Sequence, residues 1–329
     1  MRTLTALLLI ALASAVAAAT RAQEQVAIPS RTPALMAEFL HGGGPATMVA
    51  GYLYLPAHAS SPVPAMILKH GSGGLDSPAG DNIRKWARTL AGWGVAAFIV
   101  DSFGPRGISS TGSDQAQLRS WADLTDTFEA LKVLAGDPRI DKARIGVIGW
   151  SRGGGVVMET ALESARRAVL GDDGPKFAAH VVFYGPADTQ YRDTATDHAP
   201  MLFFHGEADD YVTIGPTREF ADWIQGMGNP VTFIGYPHTY HDFDVEGGVN
   251  GFARTVETGR KCDAVLDFST GRVVRLNHQP ASGVTAQAFG AYFKSCIERG
   301  ADLAPNPTAR ADAVEKLHAF VKTVFGRPN

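Results

Sequence analysis

Short, uninterrupted apolar runs alternate with amphipathic stretches along the chain after about residue 46. Strands that are buried on both faces of a sheet have such runs, and the pattern is typical of parallel sheets. The runs predict seven strands, at residues 48–55, 65–70, 95–101, 145–149, 180–184, 201–205 and 231–235. The stretches between them predict helices at residues 81–92, 115–135, 153–170 and 216–226. This alternation predicts an α/β fold with a mostly parallel, doubly wound sheet.

The composition of the 329-residue chain is that of a globular protein, because 45% of its residues are hydrophobic and 19% are charged. Its formal net charge is −3. This balance disfavours nucleic acid as a partner, because proteins that bind nucleic acid carry an excess of basic residues. The length allows two domains at about 150 residues each. Since the chain has no internal repeat or low-complexity linker, we expect one domain over residues 23–329.

The first 22 residues have the layout of a secretory signal peptide. Arg2 precedes an apolar run at residues 4–19, which is shorter than the roughly 20 residues that span a bilayer. Small residues then offer cleavage sites after Ala19 or Ala22. A membrane anchor and a buried helix are the alternatives. We expect a signal peptide at residues 1–22 and a mature protein that is periplasmic or secreted, without stable membrane insertion.

The sequence Gly149-Trp150-Ser151-Arg152-Gly153 follows the fourth predicted strand and precedes a predicted helix. A G-x-S-x-G pattern at a turn from strand to helix is typical of a nucleophile elbow. The glycines matter because the serine occupies a strained turn in which neighbouring side chains would clash with the backbone. We therefore predict that Ser151 is a nucleophile. A glycine-rich helix start without chemistry is the alternative.

A serine nucleophile needs a base and an acid that orients the base, and in this fold they follow in the order Ser, acid, His. The loop after the sixth predicted strand contains Asp209 and Asp210, and the loop after the seventh contains His238 and His241. Both loops follow strand ends, where α/β sheets build their sites. We assign Asp209 as the acid and His241 as the base. Asp210 and His238 are the competing candidates.

The reaction of a serine nucleophile also needs hydrogen-bond donors for the developing oxyanion. A glycine-rich loop at residues 70–74 follows the second predicted strand. We predict that the backbone N–H of Ser72 in this loop is one donor. The residue after the nucleophile, Arg152, supplies the second N–H. A plain glycine-rich turn is the alternative for this loop.

Several of these segments together resemble the dienelactone hydrolase family of α/β-hydrolases. The resemblance includes residues 101–107 (DSFGPRG) and 144–154 (RIGVIGWSRGG), and it covers roughly residues 46–245 and the last helix. It implies an α/β-hydrolase fold and hydrolysis of a carboxylic ester or lactone. The founding members use a cysteine nucleophile, whereas this chain has Ser151. The departure favours a general esterase over an enzyme that cleaves dienelactone.

The predicted reaction is hydrolysis of a small-molecule ester or lactone through an acyl-enzyme, and it needs no cofactor or metal. The chain has no H-E-x-x-H motif and no P-loop. Arg106 and Trp150 are candidates for contact with the substrate, and Arg106 and Arg152 are candidates to bind a substrate carboxylate. Structural pairing of the two arginines is the alternative. A serine peptidase similar to prolyl oligopeptidase, and a non-catalytic binding protein on the same scaffold, are the alternative functions.

The region after His241 is longer than a minimal α/β-hydrolase needs, and it predicts an insertion at about residues 244–307. The closing helix is predicted at residues 310–325. Within the insertion, residues 265–268 and 273–276 predict a hairpin. Apolar residues between 289 and 297 share one face of a predicted helix that Gly300 would end. Because the insertion leaves from the loop of His241, we expect it to pack beside the active site.

Cys262 and Cys296 are the only cysteines of the chain, and both lie in the predicted insertion. Exported proteins meet an oxidising compartment, in which disulfides form and persist. We therefore predict a disulfide between these two residues. Two buried free thiols are the alternative.

Overall fold

The computed structural model describes residues 23–57 and 62–326, so the predicted signal peptide lies outside the described residues. A sheet of eight strands forms the centre of the described part. Its strands are β1 (Glu24–Arg31), β2 (Ala46–Tyr54), β3 (Val63–Lys69), β4 (Ala96–Asp101), β5 (Ile140–Trp150), β6 (His180–Phe183), β8 (Met201–Gly206) and β9 (Val231–Tyr236). A short strand, β7 (Thr189–Arg192), lies outside this sheet.

The strand order is β1-β2-β4-β3-β5-β6-β8-β9. The pairs β1–β2 and β2–β4 are antiparallel, and all later pairs in this order, from β4–β3 to β8–β9, are parallel. The mostly parallel, doubly wound sheet is therefore confirmed. Strand β1 was not predicted from the sequence, because only Ile28 and Ser30 of its side chains are buried and no apolar run marks it.

Helices cover both faces of the sheet. They are α1 (Met36–Leu40), α2 (Pro78–Gly92), α3 (Ser120–Ala135), α4 (Arg152–Glu159), α5 (Glu163–Leu170), α6 (Ile214–Gly226) and α8 (Pro307–Phe325). Buried residues of α2 and α8 pack with one face, and those of α3, α4 and α6 pack with the other. In the described part of the chain, no helix is both long and apolar enough to cross a membrane.

The prediction of one helix over residues 153–170 is wrong. The chain leaves the helical conformation at Leu162, whose backbone is extended and forms an antiparallel bridge with Thr196. This contact divides the segment into α4 and α5. The amphipathic pattern continues across the break, so the sequence alone did not reveal it.

Between His241 and α8 the chain forms five strands and a helix, within the range 244–307 that the sequence analysis assigned to an insertion. Its strands are β10 (Gly251–Thr258), β11 (Ala264–Asp267), β12 (Arg272–Leu276), β13 (Gln279–Pro280) and β14 (Glu298–Leu303), and its helix is α7 (Ala286–Cys296). Strands β11 and β12 are antiparallel, which confirms the predicted hairpin. Strand β11 also pairs in parallel with β7, so the insertion is hydrogen-bonded to the segment that follows β6.

Gly300 does not end the helix of the insertion, so this prediction is wrong. Helix α7 ends at Cys296, and Ile297 is already extended. Gly300 instead lies in β14 with a φ of 92°, a conformation that side-chain-bearing residues rarely adopt. The ring of Phe252 packs against it, and a Cβ at Gly300 would lie 2.4 Å from that ring.

Cys262 and Cys296 form the predicted disulfide, with their Cα atoms 5.1 Å apart. Cys262 lies just before β11, and Cys296 is the last residue of α7. The bond therefore fixes the end of the helix against the start of the hairpin. Both cysteines are buried.

Replacement of both cysteines by serine should lower the free energy of unfolding. The sequence separation of 34 corresponds to a loop whose closure stabilises the fold by about 3–4 kcal/mol in the chain-entropy model. Urea unfolding of the wild type with and without reductant, and of the double variant, measures this difference. Reductant should destabilise the wild type and leave the double variant unchanged. Equal unfolding curves for all samples would contradict a stabilising role.

Candidate active site

Ser151 lies in the sharp turn between β5 and α4, with a φ of 52° and a ψ of −122°. Two flanking glycines permit this turn. A Cβ at Gly149 would lie 2.2 Å from the carbonyl oxygen of Gly153, and a Cβ at Gly153 would lie 2.4 Å from that of Lys69. Neither distance is possible for a real side chain. The turn places Ser151 at the carboxyl edge of the parallel strands, as the sequence predicted.

His241 and Asp209 meet Ser151 at this edge. The distance from His241 Nε2 to Ser151 Oγ is 2.9 Å, and that from His241 Nδ1 to Asp209 Oδ2 is 2.7 Å. The other carboxylate oxygen of Asp209 accepts hydrogen bonds from the backbone N–H groups of Tyr211 and Val212, at 2.9 and 2.8 Å. These two bonds fix the carboxylate and direct Oδ2 at the imidazole.

The competing acid and base candidates lie elsewhere. Asp210 accepts a hydrogen bond from the backbone N–H of Asp302 at 2.9 Å and lies 3.5 Å from a guanidinium nitrogen of Arg260. His238 is exposed, with a φ of 53°. Glu207 is exposed as well. Asp210 therefore contacts residues of the insertion and does not contact His241.

Opposing effects set the pKa of His241. Burial alone would lower it, but the charge of Asp209 and its hydrogen bond outweigh burial and raise the pKa above the ordinary value of 6.5. The rings of Tyr184 and Tyr211 pack against the imidazole, with centroids 4.5 and 4.7 Å from it. The imidazole is thus shielded from solvent while its positive form is stabilised.

The loop at residues 70–74 lies against the nucleophile. A Cβ at Gly71 would lie 3.2 Å from the Cβ of Ser151, so a side chain there would require Ser151 or its neighbours to shift. Ser72 and Arg152 both border the same cavity as Ser151. Within residues 23–57 and 62–326, neither backbone N–H donates a hydrogen bond to another protein group. Both amides are thus free to donate to a bound group.

Charged side chains beneath this loop pair with one another. Asp123 lies 3.2 Å from the Nζ of Lys69 and 2.8 Å from a guanidinium nitrogen of Arg152. Burial alone would raise the pKa of Asp123, but these two cations hold it well below its ordinary value. The described residues contain no group of three or more His, Cys, Asp or Glu side chains that could hold a metal ion.

A cavity of about 740 Å³ opens beside Ser151. Its walls come from one side of α4, from the segment before α3, from the segments after β6 and β8, and from the insertion. The insertion contributes residues 257–260, Gly290, Phe293 and Lys294 of α7, and Ile297 directly after this helix. This segment therefore borders the same cavity as Ser151.

The structure does not bring Arg106 and Trp150 to this cavity. Arg106 donates two hydrogen bonds to the buried carboxylate of Asp126, at 2.7 and 2.9 Å, and its side chain is buried. Trp150 is buried, and its Nε1 donates to Asp244 at 2.9 Å. The guanidinium of Arg152 is likewise engaged, by Asp123 and Gln115. Both arginines are therefore paired with other side chains of the protein, which was the alternative to binding of a substrate carboxylate.

Asp244 is a residue that sequence reasoning missed. Its buried carboxylate accepts hydrogen bonds from the side chains of Asn82, Trp86, Trp150 and Tyr184, at 2.8, 2.7, 2.9 and 2.5 Å. These donors belong to α2, to β5 and to the residue after β6. The only signal in the sequence is an acid between two apolar residues, three positions after His241.

Comparison with known proteins gives one family and several similar folds. The model of the dienelactone hydrolase family matches residues 49–257, more than half of the chain. The dienelactone hydrolase-like promiscuous phosphotriesterase P91, from metagenomic libraries, is 15% identical with a TM-score of 0.55, over 93% of this chain and 100% of P91. Propionate-bound esterase Est2 of Thermogutta terrifontis is 19% identical with a TM-score of 0.49, over 60% of this chain and 82% of Est2. The shared fold is the α/β-hydrolase fold.

Replacement of Asp209 by asparagine should lower the pKa of His241, because the charge that raises it is lost while the side chain keeps its shape. An NMR titration of the histidine ring signals in wild type and variant measures this shift. Asp210→Asn is the matched control and should leave the titration of His241 in place. A pKa of His241 that is unchanged or higher in Asp209→Asn would contradict the pairing.

Replacement of Asp244 by alanine should destabilise the fold by about 3–5 kcal/mol, because four donors lose their buried acceptor. Urea unfolding measures the difference. Glu246→Ala is the matched control two residues further on. Its carboxylate pairs with Lys85 and Arg310 at the surface, and the loss should stay below about 1 kcal/mol. Similar losses for the two variants would refute the anchoring role of Asp244.

Proposed function

The chain belongs to the dienelactone hydrolase family and is a hydrolase of the α/β type, and we propose that it is an exported serine hydrolase that cleaves carboxylic esters or lactones. The observation that carries this proposal is the continuous array from Ser151 through His241 to Asp209, with spacings of 2.9 and 2.7 Å. The array borders a cavity large enough for a small molecule. Its geometry is that of a nucleophile, a base and an orienting acid.

In the first step, Ser151 Oγ attacks the carbonyl carbon of the ester. His241 Nε2, at hydrogen-bond distance, accepts the proton of the hydroxyl as the new C–O bond forms. Asp209 accepts the Nδ1–H of the imidazole, which keeps Nε2 unprotonated for this task and stabilises the imidazolium that results. The carbonyl oxygen then carries a negative charge.

The backbone N–H groups of Ser72 and Arg152 are the proposed donors to this oxyanion. Support comes from their place on the cavity wall beside Ser151 and from the absence of another acceptor among the described residues. The pairing of Asp123 with Lys69 and Arg152 holds the chain on both sides of the oxyanion position. Donors that are fixed before the reaction need no reorganisation in the transition state.

Collapse of the tetrahedral intermediate expels the alcohol, which receives the proton from His241, and leaves an acyl group on Ser151. A water molecule then attacks the acyl carbon while His241 again accepts a proton. Hydrolysis releases the acid and restores the Ser151 hydroxyl. For a lactone, the alcohol and the acid are parts of the same product.

Two features support the proposed export. The N-terminal sequence has the composition of a signal peptide, and it lies outside the described residues. The Cys262–Cys296 disulfide is typical of proteins in oxidising compartments.

Replacement of Ser151 by alanine should lower kcat/KM for p-nitrophenyl acetate on the order of 10⁴-fold or more, because no nearby side chain replaces the nucleophile. A fluorophosphonate probe should label the wild type and not the variant. Ser269→Ala, in the exposed turn between β11 and β12, is the control and should keep wild-type activity and labelling. Retention of turnover by Ser151→Ala would exclude Ser151 as the nucleophile.

A further inference from the structure

The cavity extends from Ser151 along one face of helix α4. Arg152, Gly155, Val156 and Glu159 all border it, and their spacing places them on one side of the helix. With a rise of 1.5 Å per residue, Glu159 lies about 12 Å along the helix from Ser151. The part of a substrate that reaches Glu159 is therefore remote from the ester bond.

Glu159 is a carboxyl group that the reaction does not use. Its Oε2 atom exposes less than 1 Å² to solvent, and it has no hydrogen-bond partner within the described ranges. Nor does its carboxyl form an ion pair with any basic side chain described there. A polar group that is shielded in this way costs free energy unless a ligand supplies its hydrogen bonds.

Burial sets the protonation of this carboxyl. Desolvation raises the pKa of Glu159 to about 8, against an opposing effect of the Arg152 charge. At neutral pH the group is therefore mostly a neutral acid, which both donates and accepts hydrogen bonds. A hydroxyl group is the natural partner of such an acid, because it has the same double capacity.

The segment after β6 adds a second acid to the cavity wall. Asp188, Thr189 and Tyr191 border the cavity beyond β6. Burial raises the pKa of Asp188 to about 6. In the part of the chain that the structure describes, the Asp188 carboxylate forms no ion pair. Phe293, from α7 of the insertion, also borders the cavity and packs against the same apolar cluster as Tyr191.

We propose that the region of the cavity around Glu159 binds a neutral, hydroxyl-bearing part of the ester substrate. The proposal rests on the proposed function, because it concerns the same cavity. Two unpaired carboxyl groups disfavour an anionic group there. Arg119 and Lys294, both exposed, border the cavity as well and disfavour a cationic substrate. A neutral group with hydroxyls fits both constraints.

The test compares three acetate esters of equal chain length: decyl acetate, decanediol monoacetate, and the acetate of a decanol with a terminal trimethylammonium group. Their end groups reach a point about 12 Å from the carbonyl, the distance of Glu159 from Ser151. The wild type should cleave decanediol monoacetate with a kcat/KM at least about tenfold higher than that of decyl acetate, because the hydroxyl meets an otherwise unpaired acid.

Variants of Glu159 identify the cause of this preference. Glu159→Leu should reduce the ratio of the two kcat/KM values to about one or below. Glu159→Gln should keep the preference, because an amide also donates and accepts. Glu315→Leu, an exposed acid of α8 outside the cavity, is the control and should keep the wild-type ratio. Because both esters react at the same serine, the ratio does not depend on the amount of folded enzyme.

Three results would overturn the proposal: a wild-type ratio of one or less, a ratio that Glu159→Leu leaves unchanged, or a preference for the trimethylammonium ester that both Glu159 variants lose.

A second measurement is independent of catalysis. Calorimetry compares decanediol and decanol as ligands of Ser151→Ala with and without Glu159→Leu. If Ser151→Ala binds decanediol more tightly than decanol and the double variant does not, the result supports the proposal. This holds even if the wild type cleaves no ester, and in that case only the proposed function fails.

Discussion

The carboxylate of Asp244 is the interaction on which the geometry of the site depends. It is buried and accepts four side-chain hydrogen bonds, from Asn82, Trp86, Trp150 and Tyr184. Hydrogen bonds to a charged acceptor are the strong ones, and loss of the acceptor leaves every donor unpaired. Since Asp244 follows His241 by three residues, these bonds join the loop that carries the imidazole to α2, to the residue after β6 and to Trp150, which directly precedes Ser151. The same loop and turn place His241 Nε2 2.9 Å from Ser151 Oγ.

The other side of Ser151 depends on a second buried charge. Asp123 pairs with Lys69, at the end of β3, and with Arg152, at the start of α4. These are the two chain segments that carry the proposed oxyanion donors. Breaking one partner of a buried ion pair is strongly destabilising, whereas the intact pair adds little stability by itself. We therefore infer that these ion pairs serve mainly to fix the positions of two backbone amides rather than to stabilise the fold.

Features that depend on local sequence patterns lie in the structure where the sequence predicted them. The apolar runs of the parallel strands and the glycines around Ser151 are local patterns, and the loops of Asp209 and His241 follow strand ends. What sequence reasoning missed depends on contacts between distant segments. The break at Leu162 comes from its bridge to Thr196, and the position of Gly300 comes from a strand pair with β10. The pairing of Arg106 with Asp126, and the four partners of Asp244, are likewise set by the tertiary fold.

The family match covers the proposed catalytic residues but only part of the cavity wall. The match ends at residue 257, so it includes Ser151, Asp209 and His241 but not α7 or β14. Those later elements supply Phe293 and Lys294 to the cavity, and the disulfide fixes the end of α7 in place. Arg260 connects the same segment to Asp210, the neighbour of Asp209. The cavity wall is therefore built from both sides of the boundary of the match, since Glu159 and Asp188 lie inside it and Phe293 and Lys294 lie outside it. Substrate choice has to be derived from that wall itself rather than from membership of the family.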